Sequence, residues 1–356
     1  MQIKIINDSS AADALSAALA AYAEGDVPLI VDSRAPIADD VLQHELPAAA
    51  AWAALTSGTT GAPKIVVRSA ASWQIAFEPL NAELGLCSGD GLWMPVHQVS
   101  SMALFSAAWA QSSGLDLVIP KAEDPGLSRA VVAHVTPSWL ERLLEMLDIG
   151  QNSTLHTVLV GGDRLPEDLM HRAQIAGLRV VTYVGAAELS LVAWDRGDGM
   201  RAFEGVATRI VDNQLWVSSP QIALDVIGGN LEREVVDGVE WATVGDRVAE
   251  QNGVLEFLGR GDGAVLTAGA TVIPAEVEAV LNSHPQIVGS LVMGQPDAVL
   301  GQRVVAWVEG SADRAQLRDW VRSRLPKAAR PVQWHTVEKL QRTASGKIRR
   351  VVPEEA

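Results

Sequence analysis

Between Thr56 and Lys64 the chain reads Thr-Ser-Gly-Thr-Thr-Gly-Ala-Pro-Lys, directly after the apolar run Ala48 to Leu55. Gly58 and Gly61 allow a backbone to curl with its NH groups pointing inward, the hydroxyl side chains add donors, and Lys64 adds a point charge. That donor set suits a polyphosphate. It is not a Walker A loop, because Pro63 precedes Lys64 where that motif needs Gly-Lys-Ser/Thr. A Gly/Thr-rich surface turn is the plain alternative. A second basic cluster, Gln341-Arg342-Thr343-Ala344-Ser345-Gly346-Lys347-Ile348-Arg349-Arg350, sets Lys347 behind a glycine. Alone it reads as a solvated face. Paired with a phosphate loop it reads as a movable electrostatic clamp for a phosphoryl or acyl-phosphate transition state.

These cations stand in an acidic chain. The 356 residues carry 28 Lys and Arg against 43 Asp and Glu, a net charge of −15, which excludes a strongly basic nucleic-acid binder but not local anion binding. Hydrophobic residues make up 48% and charged residues 20%, a globular composition, and the length exceeds what one hydrophobic core supports, so two domains are expected. Cys87 is the one cysteine and forms no intramolecular disulfide, and no histidine shows zinc-ligand spacing. The first residues do not read as a secretory leader and no apolar run reaches the roughly 20 residues of a membrane span, so a soluble, cytoplasmic protein is expected.

Strand-like and helix-like segments alternate, the pattern of an α/β fold: a large N-terminal α/β domain with mostly parallel sheets. Residues 11–24 predict a helix and Pro28 to Asp32 a short buried strand. Pro137 suits a first helical turn, with Ser138 and Glu141 spaced as a capping box. Leu155 to Val160 predicts a strand, Pro166 to Gly177 a helix and Leu178 to Val184 the next strand. Gly161-Gly162-Asp163 and Gly185 to Glu188 then fall at C-terminal strand ends, where α/β folds place ligands. Beyond residue 260 a short α+β module is expected, with a strand near 265, a helix from Pro274 to Asn282, strands at 287–293 and 302–308, and a helix from Ala315 to Leu325. The boundary is set in Gly259-Arg260-Gly261-Asp262-Gly263, giving domains 1–261 and 262–356.

Taken together, Thr56 to Lys64, Gly245-Asp246, Gly259 to Asp262, Ala268 to Glu278 and Thr343 to Lys347 resemble, in order, the motifs of the adenylate-forming acyl-CoA synthetase superfamily. The resemblance spans roughly residues 50–350. It implies ATP-dependent activation of a carboxylic acid to an acyl-adenylate with release of pyrophosphate, then acyl transfer to CoA and release of AMP.

By the same resemblance, Thr56, Ser57, Gly58, Thr59, Thr60, Gly61 and Lys64 form the β,γ-phosphate cradle. Gly161, Gly162, Asp163, Val184 and Gly185 line the adenine pocket, and Asp246 and Arg260 hold the ribose. Glu188 holds Mg2+, Lys347 bridges substrate carboxylate and α-phosphate, Asp262 is the hinge, and the Gly269 loop enters the site when Lys347 leaves it for CoA transfer. The partners implied are ATP, CoA and a small carboxylic acid, without nucleic acid; a homodimer is left open.

Three positions depart from the pattern. Val184-Gly185-Ala186-Ala187-Glu188 stands where the family shows Tyr-Gly-x-Thr-Glu, so the tyrosine that stacks on adenine and a hydroxyl near the phosphate are both missing. Thr267 stands where many members carry Lys. At Pro95 to Ser101, Gln98 aligns with a usual His and His97 precedes it; His97 and Gln98 are the acid-site candidates, and a packed core histidine is the equal alternative for His97. The compact build, with 55 residues before Thr56, resembles o-succinylbenzoate-CoA ligases of menaquinone synthesis. A fatty or aryl acyl-CoA synthetase, a carrier-protein acceptor in place of CoA, and a non-catalytic relative binding nucleotide or acyl-adenylate are the alternatives. Eleven Trp against four Phe and two Tyr have no physical account at this level.

Overall fold

Ser10 accepts a hydrogen bond from the Asp13 amide and opens the helix Ala11–Ala23, which buries Ala14, Leu15, Ala18 and Ala21. The strand Val27–Val31 follows, buried along its whole length and paired in parallel with Ile3–Asn7. Both elements fall where their patterns predict. The computed structural model describes residues 2–32, 44–56, 64–260, 263, 265–267, 270–297, 301–343 and 346–353. They form two compact units, one of residues 1–208 with 216–243 and one of 209–215 with 244–356.

The first unit is built around a seven-stranded sheet. Five neighbouring strands, Arg179–Ala186, Thr157–Val160, Val132–Val135, Gly91–Trp93 and Asp116–Val118, run parallel, and Ser190–Asp195 and Arg201–Ala202 extend it antiparallel. The parallel strands read as short continuous apolar runs because helices cover both faces. A smaller antiparallel sheet has Lys64–Ser69 at its centre, between Ala50–Thr56 and Asp225–Ile227.

The largest fully buried side chains are led by Trp73, Trp93, Trp109, Trp194 and Trp307. Two of these indole nitrogens find carbonyl partners: Trp93 Nε1 donates to Pro125 at 2.7 Å and Trp109 Nε1 to Asn81 Oδ1 at 2.8 Å. The surplus of Trp is therefore mostly core, with Trp52 stacked between Tyr22 and Trp73.

The helix Pro137–Asp148 corrects one prediction. Thr136, not Ser138, is its N-cap, without a side-chain cap bond; Thr136 Oγ1 pairs with Ser138 Oγ at 3.0 Å instead. Pro137 dictates this: its fixed φ and missing NH place it in the first turn, which moves the cap two residues upstream, from Ser138 to Thr136.

In the second unit, Ile287–Asp297 and Gly301–Gly310 form a long antiparallel pair, with Gln333–Val337 beside the latter. The helices Pro274–Asn282 and Arg314–Arg322 lie on it, the second closed by a capping box at Asp313 and Gln316. Gly259, at φ +102°, packs so tightly on the first of these helices that a Cβ there would lie 2.8 Å from that of Ala275. The strand pair Asp246–Gln251 and Val254–Arg260 belongs to this unit. Among the described residues no helix is long and apolar enough to cross a membrane.

Candidate active site

The parallel strands Thr157–Val160 and Arg179–Ala186 are hydrogen-bonded neighbours, in register from Thr157 with Arg179 to Val160 with Thr182. Their C-terminal ends therefore deliver Gly161-Gly162-Asp163 and Gly185-Ala186-Ala187-Glu188 side by side. Two glycines here are required by close approach. A Cβ on Gly161 would lie 2.1 Å from the Tyr183 ring, and one on Gly185 would lie 2.1 Å from the Ser190 carbonyl oxygen. After Gly185 the chain reverses, Ser190 pairing with Ala186 and the Leu189 amide donating to the Ala186 carbonyl at 3.1 Å, so Glu188 sits at a hairpin tip.

That tip is tied down from below. The Glu188 carbonyl accepts from the Ala223 amide at 2.8 Å. The guanidinium of Arg68, fully buried, donates to the carbonyls of Ala187 and Gln221 and lies 5.7 Å from the Trp73 ring centroid. Burial pushes its pKa down to about 9, and the negative charge of Glu188 opposes that drop. Sequence reasoning missed Arg68. The available signal was a charge inside the apolar strand Lys64–Ser69, four residues after Lys64 and so on the same face.

Tyr183 does not stand in for the aromatic missing at Val184. Successive strand residues face opposite ways, and the Tyr183 hydroxyl points into the sheet, 2.9 Å from His134 Nε2. Ser106 Oγ donates to the Met102 carbonyl at 2.8 Å and so accepts from His134 Nδ1 at 2.7 Å. His134 is thereby the Nδ1-H tautomer, and Tyr183 donates to it. Burial lowers the His134 pKa to about 3 and raises that of Tyr183, so both are neutral at pH 7.

Thr56 and Lys64 close the small sheet as a directly paired couple, which holds the two ends of the phosphate-loop segment next to each other. Ser57, Gly58, Thr59, Thr60 and Gly61 lie outside the described residues, as do Asp262 and Gly269. Leu55 also bridges to Ser100, which caps the helix Ser101–Ser113 and joins the acid-site candidates to the same sheet. Gln98 is buried and donates to the Ser9 carbonyl at 3.0 Å. His97 is half-buried, and its Nδ1 accepts from the Val99 amide at 3.4 Å.

In the second unit Asp246 pairs directly with Arg260 across the antiparallel ladder, so the two ribose candidates are neighbours. Lys347 is exposed at a tight turn: the Thr343 amide donates to its carbonyl at 2.7 Å and the Lys347 amide to Thr343 Oγ1 at 3.2 Å. Arg342 to Glu309 at 3.3 Å ties this turn to the strand Gly301–Gly310, and Arg350 to Glu278 at 2.7 Å ties the segment after it to the helix Pro274–Asn282.

Glu188 offers one hard oxygen donor, and no group of three or more His, Cys, Asp or Glu among the described residues could cage a metal ion. A single carboxylate fits Mg2+ that brings its remaining ligands as phosphate oxygens and water. The same chemistry would not fit a zinc or calcium site.

The family model for AMP-binding enzymes matches residues 4–222, and the AMP-binding enzyme C-terminal domain matches residues 276–347. This chain belongs to the AMP-binding enzyme family. It is 28% identical over 295 residues to the 2-succinylbenzoate--CoA ligase of Escherichia coli K12, covering 80% of this chain. It spans 64% of that ligase's length, just under two thirds. It is 30% identical over 325 residues to the probable 2-succinylbenzoate--CoA ligase of Mycobacterium tuberculosis H37Rv, covering 83% of this chain and 81% of that protein. Its fold is that of the o-succinylbenzoate CoA synthetase of Bacillus subtilis solved with its acyl-adenylate intermediate, with a TM-score of 0.81 and 18% identity over 98% of this chain and 87% of that one.

Proposed function

We propose that this AMP-binding family member is an AMP-forming carboxylic acid–CoA ligase, with o-succinylbenzoate as the acid that its relatives' names favour. The observation that carries the reaction class is the family match across both units, together with a hairpin that presents Glu188 from the end of a parallel strand, beside the Gly161 to Asp163 loop.

In the first half-reaction a carboxylate oxygen attacks the α-phosphorus of ATP and pyrophosphate leaves. In the second, the CoA sulfur attacks the acyl carbon and AMP leaves. Thr56 and Lys64, with the loop between them, bind the β- and γ-phosphates. Asp246, which only accepts hydrogen bonds, takes the ribose hydroxyls with Arg260 beside it. Lys347 neutralises the carboxylate and α-phosphate as they approach, a term worth most where charge builds up in the transition state. Glu188 would hold Mg2+, which supplies charge neutralisation on the phosphates. Residues 262–356 are the moving part, turning at Asp262 so that Lys347 gives way to the Gly269 loop.

A second reading is favoured by Val184 and Ala187, where a stacking ring and a hydroxyl are absent: a relative that binds nucleotide without turnover. ATP–pyrophosphate exchange across a panel of carboxylic acids that includes o-succinylbenzoate, followed by CoA thioester formation, separates the two. Exchange with one acid class supports the ligase. ATP binding without exchange for any acid supports the second reading.

A further inference from the structure

Lys64 leaves the end of its strand between two neighbours. Thr56 pairs with it on one side, and on the other the strand Asp225–Ile227 runs antiparallel, Ile227 opposite Ile65, before the chain reaches Gly228 and Gly229. These two glycines are needed for different reasons. Gly228 has φ +75°, a conformation that favours glycine. Gly229 lies outside that region, yet a Cβ built on it would sit 2.4 Å from Lys64 Cδ, 2.8 Å from Cε and 3.1 Å from Cγ. Three consecutive carbons of the lysine stem thus lie flat against the bare Gly229 backbone. An ordinary carbon contact is about 3.5–4.0 Å, so any side chain at 229 displaces the stem by about 1 Å or more. The obstacle is a flexible side chain and not backbone, so the fold can absorb the change and the ammonium position cannot.

We propose that Gly229 is a positioning residue for nucleotide binding: its missing side chain is the groove that lays down the Lys64 stem and aims its ammonium at the polyphosphate. This rests on the reading of Lys64 as a β,γ-phosphate ligand. A 1 Å misplacement costs up to about a hundredfold in catalysed rate.

The test is a double-mutant cycle on the full chain, with the Kd of ATP in the presence of Mg2+ and the Kd of AMP both measured by calorimetry. Gly229→Ala is expected to weaken ATP about tenfold and leave AMP, which lacks the β- and γ-phosphates, unchanged. In a Lys64→Ala background the same substitution is expected to add nothing, because the group it displaces is gone. An equal Gly229→Ala penalty in both backgrounds, equal weakening of AMP, or no effect on ATP while Lys64→Ala is impaired overturns the positioning role and leaves the phosphate role of Lys64 standing. Wild-type ATP affinity in Lys64→Ala overturns the phosphate reading, and the Gly229 role with it.

Discussion

Replacing His134 by Gln should flatten the acid limb of the stability curve of the first unit. In the folded chain His134 is buried, held between Ser106 Oγ and the Tyr183 hydroxyl, and its pKa falls from 6.5 to about 3. Between these two values the unfolded chain binds a proton that the folded chain refuses, so stability is complete above pH 6.5 and is lost as pH falls. The slope is about 1.4 kcal/mol per pH unit once below 6.5, which amounts to about 2 kcal/mol by pH 5. Glutamine presents a donor and an acceptor at similar reach but does not titrate. Urea unfolding of wild type and His134→Gln, followed at pH 7 and pH 5 by fluorescence of the buried tryptophans, isolates the term, because surface carboxylates titrate alike in both proteins. The expected result is that wild type loses about 2 kcal/mol more than the variant between these pH values. Equal losses would refute the assignment of a neutral, proton-refusing imidazole at the centre of the Ser106–His134–Tyr183 chain.

Two further outcomes are expected. Lys347→Ala should abolish acyl-adenylate formation in the ATP–pyrophosphate exchange assay yet spare CoA transfer from pre-made acyl-adenylate; equal loss of both half-reactions would sink the two-state assignment of the C-terminal part. Arg68→Met should destabilise by about 2–5 kcal/mol in calorimetric unfolding, because it strips hydrogen bonds from the part-buried carbonyl of Ala187 and the buried carbonyl of Gln221; an unchanged melting temperature would show those carbonyls satisfied by other means.

Much of the fold was legible in local pattern. The helix Pro274–Asn282 begins at a proline and buries Pro274, Val277 and Leu281, a spacing visible in the sequence. The strands between 190 and 260, although dense and antiparallel, left only faint patterns in the sequence. Their signals were present as turn pairs: Asp212-Asn213, Asp237-Gly238 and Asn252-Gly253 all have positive φ at both residues, the conformation of tight hairpin turns. The strands they join are short and half-exposed, so their apolar alternation is faint beside that of the buried parallel strands.

By itself the sequence determined the family and the order of its motifs, because phosphate loops, turn glycines and capping prolines act through neighbours a few residues away. Tertiary structure alone decided that Arg68 holds the turn beneath Glu188, 119 residues from the carbonyl of Ala187 that it binds. It also decided that Tyr183 faces His134 inside the sheet, away from the side presented by Val184, and that Gly229 makes room for the stem of Lys64. The reason is common to all three. A contact between distant segments is fixed by strand register and by the direction in which each side chain leaves its strand, and neither leaves a mark on the residues around it in the chain.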